Sequence, residues 1–183
     1  MGIVLAFVPF VVFAVVDHFV GATEGLIAGA VVSAAMLIRD LVTPGRAPKV
    51  LEIGTVILFT ALALYAILAS PTWPIVAVRL RVDLGLLSIV LISMAIRRPF
   101  TLQYARESVP RELWDSPVFI RTNYIITAVW ALAFVVMVIA DLLLLYVPSL
   151  PQRVGIIATI AALVAAVKFT QWYPESIRAK ATS

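Results

Sequence analysis

The chain has 183 residues, 63% of them hydrophobic and only 13% charged, with a net charge of +4 and no cysteine. Its mean hydropathy is +1.08, whereas soluble domains run at roughly 45–50% apolar and about 25% charged, so the surplus apolar surface is expected to face lipid or other membrane helices. Lack of cysteine excludes disulfides, thiolate nucleophiles and lipidated thiols, and the modest charge, scattered between apolar runs, does not point to nucleic acid.

Six apolar stretches can be read, at about residues 2–16, 25–38, 53–70, 84–96, 122–140 and 154–167. They predict an all-α polytopic membrane bundle of about six transmembrane helices, forming a single domain over 1–183. The first stretch begins at Gly2 with no basic segment before it, which favours an uncleaved helix over a signal peptide. It closes on Asp17 and His18, with Glu24 just beyond. The second is entered through Gly21, Gly25 and Gly29, spaced by four, with Ser33 one step further on. Such small-residue faces let helices approach closely in lipid. Packing inside the protein is one reading and a homo-oligomer face is the other.

The third stretch follows a Pro-Gly turn at 43–48, and nothing from Ile53 to Val78 is charged. Trp73 and Pro74 precede the fourth, whose first turns carry Arg79, Arg81 and Asp83. The break at 97–121 holds five arginines and three prolines. Within it, Pro99 is placed to start a short helix from Phe100, and Pro110 argues against one continuous helix. Phe100, Leu102, Tyr104, Trp114 and Phe119 are interleaved with the arginines. This composition predicts an amphipathic cytoplasmic loop lying in the headgroup layer. The fifth stretch starts beside Asn123 and ends at Asp141. The sixth ends at Lys168, before the interfacial Trp172-Tyr173-Pro174.

A spanning helix needs about 20 apolar residues, and four of the stretches are shorter. Either their ends carry ionisable groups at headgroup level, or a short N-terminal re-entrant hairpin precedes four spans. Both readings alternate the breaks between two faces. One face receives Arg39, Arg46, Lys49, Arg97, Arg98, Arg106, Arg111, Arg121, Arg178 and Lys180. The other receives Arg79, Arg81 and Arg153. Lys and Arg are retained in the cytoplasm, so both termini are expected there. Anionic lipid headgroups are the expected partners of the basic face.

Two groups of residues are candidates for function. Arg97, Arg98, Gln103, Tyr104, Arg106 and Asn123 share the cytoplasmic face and could bind a lipid headgroup or a protein partner, since guanidinium matches phosphate bidentately. Positive-inside retention alone also accounts for the arginines. Asp17, His18, Arg79, Arg81, Asp83, Asp141 and Lys168 are ionisable groups near membrane depth, where such groups are costly and often functional. They are the candidates for a buried polar or transport role. Asp17, His18 and Glu24 also read as solvated loop residues or the start of a divalent metal site. No nucleophile–base pair, phosphate loop or zinc-protease helix is present. The chain is therefore expected not to be an enzyme and to need no cofactor or metal.

The layout resembles the bacterial septation protein A family, the YciB-like inner-membrane proteins, as a divergent relative. The resemblance rests on Phe7-Val8-Pro9-Phe10-Val11-Val12-Phe13 at the start and Lys49-Val50 before the third helix. It continues in Arg79-Leu80-Arg81 at the fourth, Arg97-Arg98-Pro99 after it, and Asn123, Trp130 and Phe134 in the fifth. It implies a multi-pass protein of the bacterial inner (cytoplasmic) membrane. The implied role is non-enzymatic, in cell-envelope maintenance and septation, through membrane lipids and other membrane proteins. A small transporter or channel, its ionisable residues lining a polar cavity, is the alternative.

Overall fold

The computed structural model describes residues 2–147 and 149–181, and all regular structure among them is helical. In chain order the helices are α1 (Gly2–Leu5), α2 (Val8–Phe19), α3 (Ala22–Val42), α4 (Val50–Ala69), α5 (Ile75–Ala95), α6 (Phe100–Arg106), α7 (Pro117–Tyr146) and α8 (Gln152–Ala181). A 3₁₀ turn at Arg111–Leu113 lies between α6 and α7. Each apolar stretch falls on a helix, the first being divided between α1 and α2. Four helical segments are long and apolar enough to cross a membrane: Ala22–Val42, Val50–Ala69, Pro117–Tyr146 and Gln152–Ile177. α2 is shorter, and α5 is long enough but carries Arg79, Arg81 and Asp83. The protein is an all-α, membrane-embedded helical bundle.

Local chemistry sets the helix ends. α3 carries Glu24 in its first turn and Arg39 in its last, each sign opposing the helix dipole. α4 is capped by Glu52, whose Oε2 accepts the Lys49 N–H at 3.2 Å. It ends at Ser70 in the left-handed conformation, φ 42°, immediately before Pro71. α7 opens with Pro117, whose missing N–H suits a first helical position.

The chain divides into two compact units, Met1–Ile89 and Val90–Ser183. In the first, Phe13, Leu26, Phe59, Ala63, Ala66, Val78 and Val82 form a buried core. Glycines let its helices close on one another. A Cβ built on Gly25 would lie 3.0 Å from the Asp17 backbone N and 3.0 Å from the Phe13 carbonyl of α2. One built on Gly29 would lie 2.7 Å from the ring of the buried Phe59 on α4. Gly85 meets Leu58, and Gly54 meets Ile89, in the same way. The Gly25–Gly29–Ser33 face is therefore covered from within the unit.

In the second unit, α7 packs along α8, and α6 packs against α7. Phe100, Trp130 and Phe134 form a buried aromatic run, with ring centroids 6.2 Å and then 5.7 Å apart. The Trp130 indole N–H donates to Thr170 Oγ1 on α8 at 2.9 Å, which fixes the rotation of α7 against α8. Hydrocarbon offers the indole no other acceptor.

Replacing Gly29 with Ala should lower stability in detergent by about 1–3 kcal/mol, because Phe59 is buried and cannot withdraw. Gly155→Ala should cost much less, since its Cβ meets only the flexible end of Leu144. Thermal melting of the two purified variants checks this; equal melting temperatures would contradict the close approach.

Candidate functional site

The arginine-rich break is held from beneath. α5 ends with Arg98 N–H donating to Ser93 C=O at 2.8 Å and Arg97 N–H to Met94 C=O at 3.0 Å. This paired pattern places Arg97 in the left-handed region, φ 58°, where glycine is the usual occupant. Pro99 follows and α6 begins. The Ser93 hydroxyl donates to Val90 C=O at 2.7 Å and accepts the Phe100 N–H at 3.2 Å, so one buried oxygen joins two helices.

α6 turns Phe100, Thr101, Leu102 and Tyr104 into the protein. The residues expected to anchor in headgroups are instead largely packed beneath the break, because α7 offers them Trp130 and a polar seam. Thr101 Oγ1 donates to the Asn123 carbonyl at 2.8 Å. It lies 2.7 Å from Thr127 Oγ1. A hydroxyl has one hydrogen, so Thr127 donates to Thr101. The Asn123 side chain is buried and gives its amide N–H to Phe119 C=O at 2.9 Å. Gln103 donates to the Arg98 carbonyl at 2.9 Å. These groups are engaged in holding backbone.

Above the seam, Arg106 and Arg111 place their guanidinium carbons 5.3 Å and 5.6 Å from the Trp114 ring centroid. Trp114 Nε1–H donates to Val109 C=O at 3.2 Å. Asp115 lies 3.7 Å from Arg106 but is 96% exposed, so that pair is worth little. Arg97, Arg98 and Arg111 point outward. Of the six candidates on the arginine-rich face, Asn123 and Tyr104 are buried, Gln103 and Arg106 are partly buried, and Arg97 and Arg98 are exposed.

The other candidates are distributed between the units. Asp17 lies in α2 and is 5% exposed; it is not a solvated loop residue, because Gly25 lets α3 close over it. Its Oδ1 accepts no hydrogen bond from the described residues, while Arg79 and His18 act on it electrostatically. His18 is exposed and packs edge-on against Phe19. Arg81 donates to Ala77 C=O at 2.6 Å and lies 4.1 Å above the Trp73 ring. Trp73 stacks in turn on Tyr65 at 5.1 Å. Asp83 and Asp141 are buried, and Lys168 is exposed. Among the described residues, no group of three or more His, Asp or Glu could hold a metal ion.

The tightest ionic cluster lies where the sequence shows only topological charge. Asp40, at the end of α3, is fully buried. Its Oδ1 accepts from Arg39 Nε at 3.0 Å and Arg46 Nη1 at 3.0 Å, with Arg39 Nη2 2.8 Å away. Its Oδ2 accepts from Lys49 Nζ at 2.6 Å, and Lys49 reaches Glu52 Oε1 at 3.2 Å. The signal was compositional: three cations and two acids lie between positions 39 and 52, around a turn stiffened by Pro44 and Pro48.

Removing the carboxylate in Asp40→Ala should cost about 3 kcal/mol, because it strips a buried lysine of one of its two anions. Asp115→Ala should leave melting unchanged. Thr101→Val should cost about 1–3 kcal/mol by leaving buried polar groups unsatisfied. Melting curves of the three variants in one detergent test the ranking.

No family model, curated protein or solved structure matches this chain.

Proposed function

We propose that this is a non-enzymatic protein of the septation protein A type, acting in cell-envelope maintenance by binding lipids and other membrane proteins. It sits in the bacterial inner membrane with both termini in the cytoplasm. The observation that carries this reading is the surface at 97–121. Beneath it, Thr101, Gln103 and Asn123 are spent on backbone hydrogen bonds, and its exterior presents Arg97, Arg98 and Arg111 beside the partly buried Trp114. A surface fixed from below and basic above suits recognition more than reaction. The outward arginines also agree with cytoplasmic retention of this segment.

A second reading, a small transporter or channel, is favoured by Asp17 and Asp141, two carboxylates buried in apolar helices. Proton or cation flux in vesicles that Asp17→Asn and Asp141→Asn both abolish would select it.

A photo-crosslinker at position 111 should trap envelope membrane proteins in native membranes. The variant Arg97→Ala/Arg98→Ala should lose those products. A pattern matching that of a crosslinker at the exposed, apolar Leu132 would rule the surface out. Reporter fusions at both chain ends should be active on the cytoplasmic side only; activity outside would refute the orientation.

A further inference from the structure

The turn between α3 and α4 joins two consecutive segments that are each long and apolar enough to span. A turn between two spans is expected at headgroup depth. The cluster there sums to one positive charge: Arg39, Arg46 and Lys49 against Asp40 and Glu52. Its centre is dry, with the Asp40 side chain at 0% exposure and those of Lys49 and Glu52 each at 5%. The two guanidinium side chains differ, keeping 47% and 42% of their surface exposed. Asp40 thus holds two arginines side by side from beneath and leaves their outer surfaces in solvent.

Lipid contacts are available beside them. Ile38, Leu41 and Val42 are all well exposed on the last turns of α3, flanking Arg39. One side-chain and one backbone donor hold the turn itself: Thr43 Oγ1 donates to Arg39 C=O at 2.6 Å, and Arg46 N–H donates to Thr43 C=O at 3.2 Å. Gly45, φ 82°, has open space where a Cβ would stand.

We propose that Arg39 and Arg46 form a binding site for the phosphodiester of an anionic phospholipid, with its acyl chains against Ile38, Leu41 and Val42. Guanidinium groups match phosphate oxygens in a fork. Because Asp40 already orders both side chains, little further entropy is lost on binding. The residual positive charge supplies the attraction, and the adjoining apolar helix selects a lipid over a free phosphate. This deepens the lipid-binding half of the proposed function. Its test uses purified protein, so failure here and failure of the 97–121 surface register separately.

Native mass spectrometry of the full chain in an uncharged detergent, titrated with phosphatidylglycerol, should show one tightly retained lipid. In Arg39→Ala/Arg46→Ala its affinity should fall roughly 20-fold, from two headgroup contacts of ordinary strength. Arg46→Ala alone, at the tip of the turn and outside both helices, should lose about fivefold. It keeps the proposal testable if the double variant does not fold. Arg97→Ala/Arg98→Ala should retain that lipid. Unchanged affinity in Arg46→Ala would overturn the site. So would displacement of the lipid by inorganic phosphate, which would mark a free-anion site instead.

Discussion

Hydrocarbon gives and accepts no hydrogen bonds, so a polar group carried into it must bring its partner along. That constraint organises this protein more than any individual contact. The helices satisfy their own backbones. What remains are the side chains that interrupt the apolar runs, and most are answered locally. Ser93 and Thr101 tie α6 to its neighbours and Trp130 reaches Thr170; the dry interior of a turn makes the same demand, and there Asp40 draws in three cations. Each exchange also fixes geometry. A hydroxyl shared by two backbones sets a crossing, and a carboxylate shared by three cations sets a turn. Groups that carry polarity in such a solvent become the positioning devices of the fold.

The placement of the helices was legible because their signal is hydropathy, which depends on composition over long windows. The start of α6 at Phe100 was legible because proline acts locally. So was the packing role of Gly25 and Gly29, since a four-residue glycine spacing keeps one face bare. What a side chain faces was harder to read. Asp40 and Asp17 look alike in sequence, each an acid near the end of an apolar run beside a basic neighbour. One lies in a five-residue ionic cluster; the other is sealed by a glycine of the next helix. Asp40 meets cations of its own turn, at positions 39, 46 and 49, whereas the fate of Asp17 depends on which helix closes over it, and no local pattern encodes that. Within 97–121, the burial of Phe100, Leu102 and Tyr104 was hidden for the same reason. Aromatic residues beside arginines suit a headgroup layer, but they suit a buried seam equally well when a partner helix offers threonine and tryptophan.

Two basic surfaces emerge with different construction. At 97–121, arginines project from a scaffold of neutral hydrogen bonds and flank an indole. At the α3–α4 turn, arginines are clamped by a dry carboxylate. The first can adjust its side chains while its backbone stays fixed. The second has its cations already ordered. Such a difference suits a broad, adaptable contact in one place and a compact, oriented one in the other.

The stack of Tyr65, Trp73 and Arg81 has a practical side. The chain has four tryptophans, and Trp73 is the one that falls in the first compact unit. Its indole sits against a stacked phenol on one contact and a guanidinium on another, an environment that shapes its emission. With the other three replaced by phenylalanine, fluorescence would report on that unit alone. Restoring only Trp130 would report on the second. The two halves of the protein could then be followed optically as separate objects, and whether they melt together becomes a question with a direct readout.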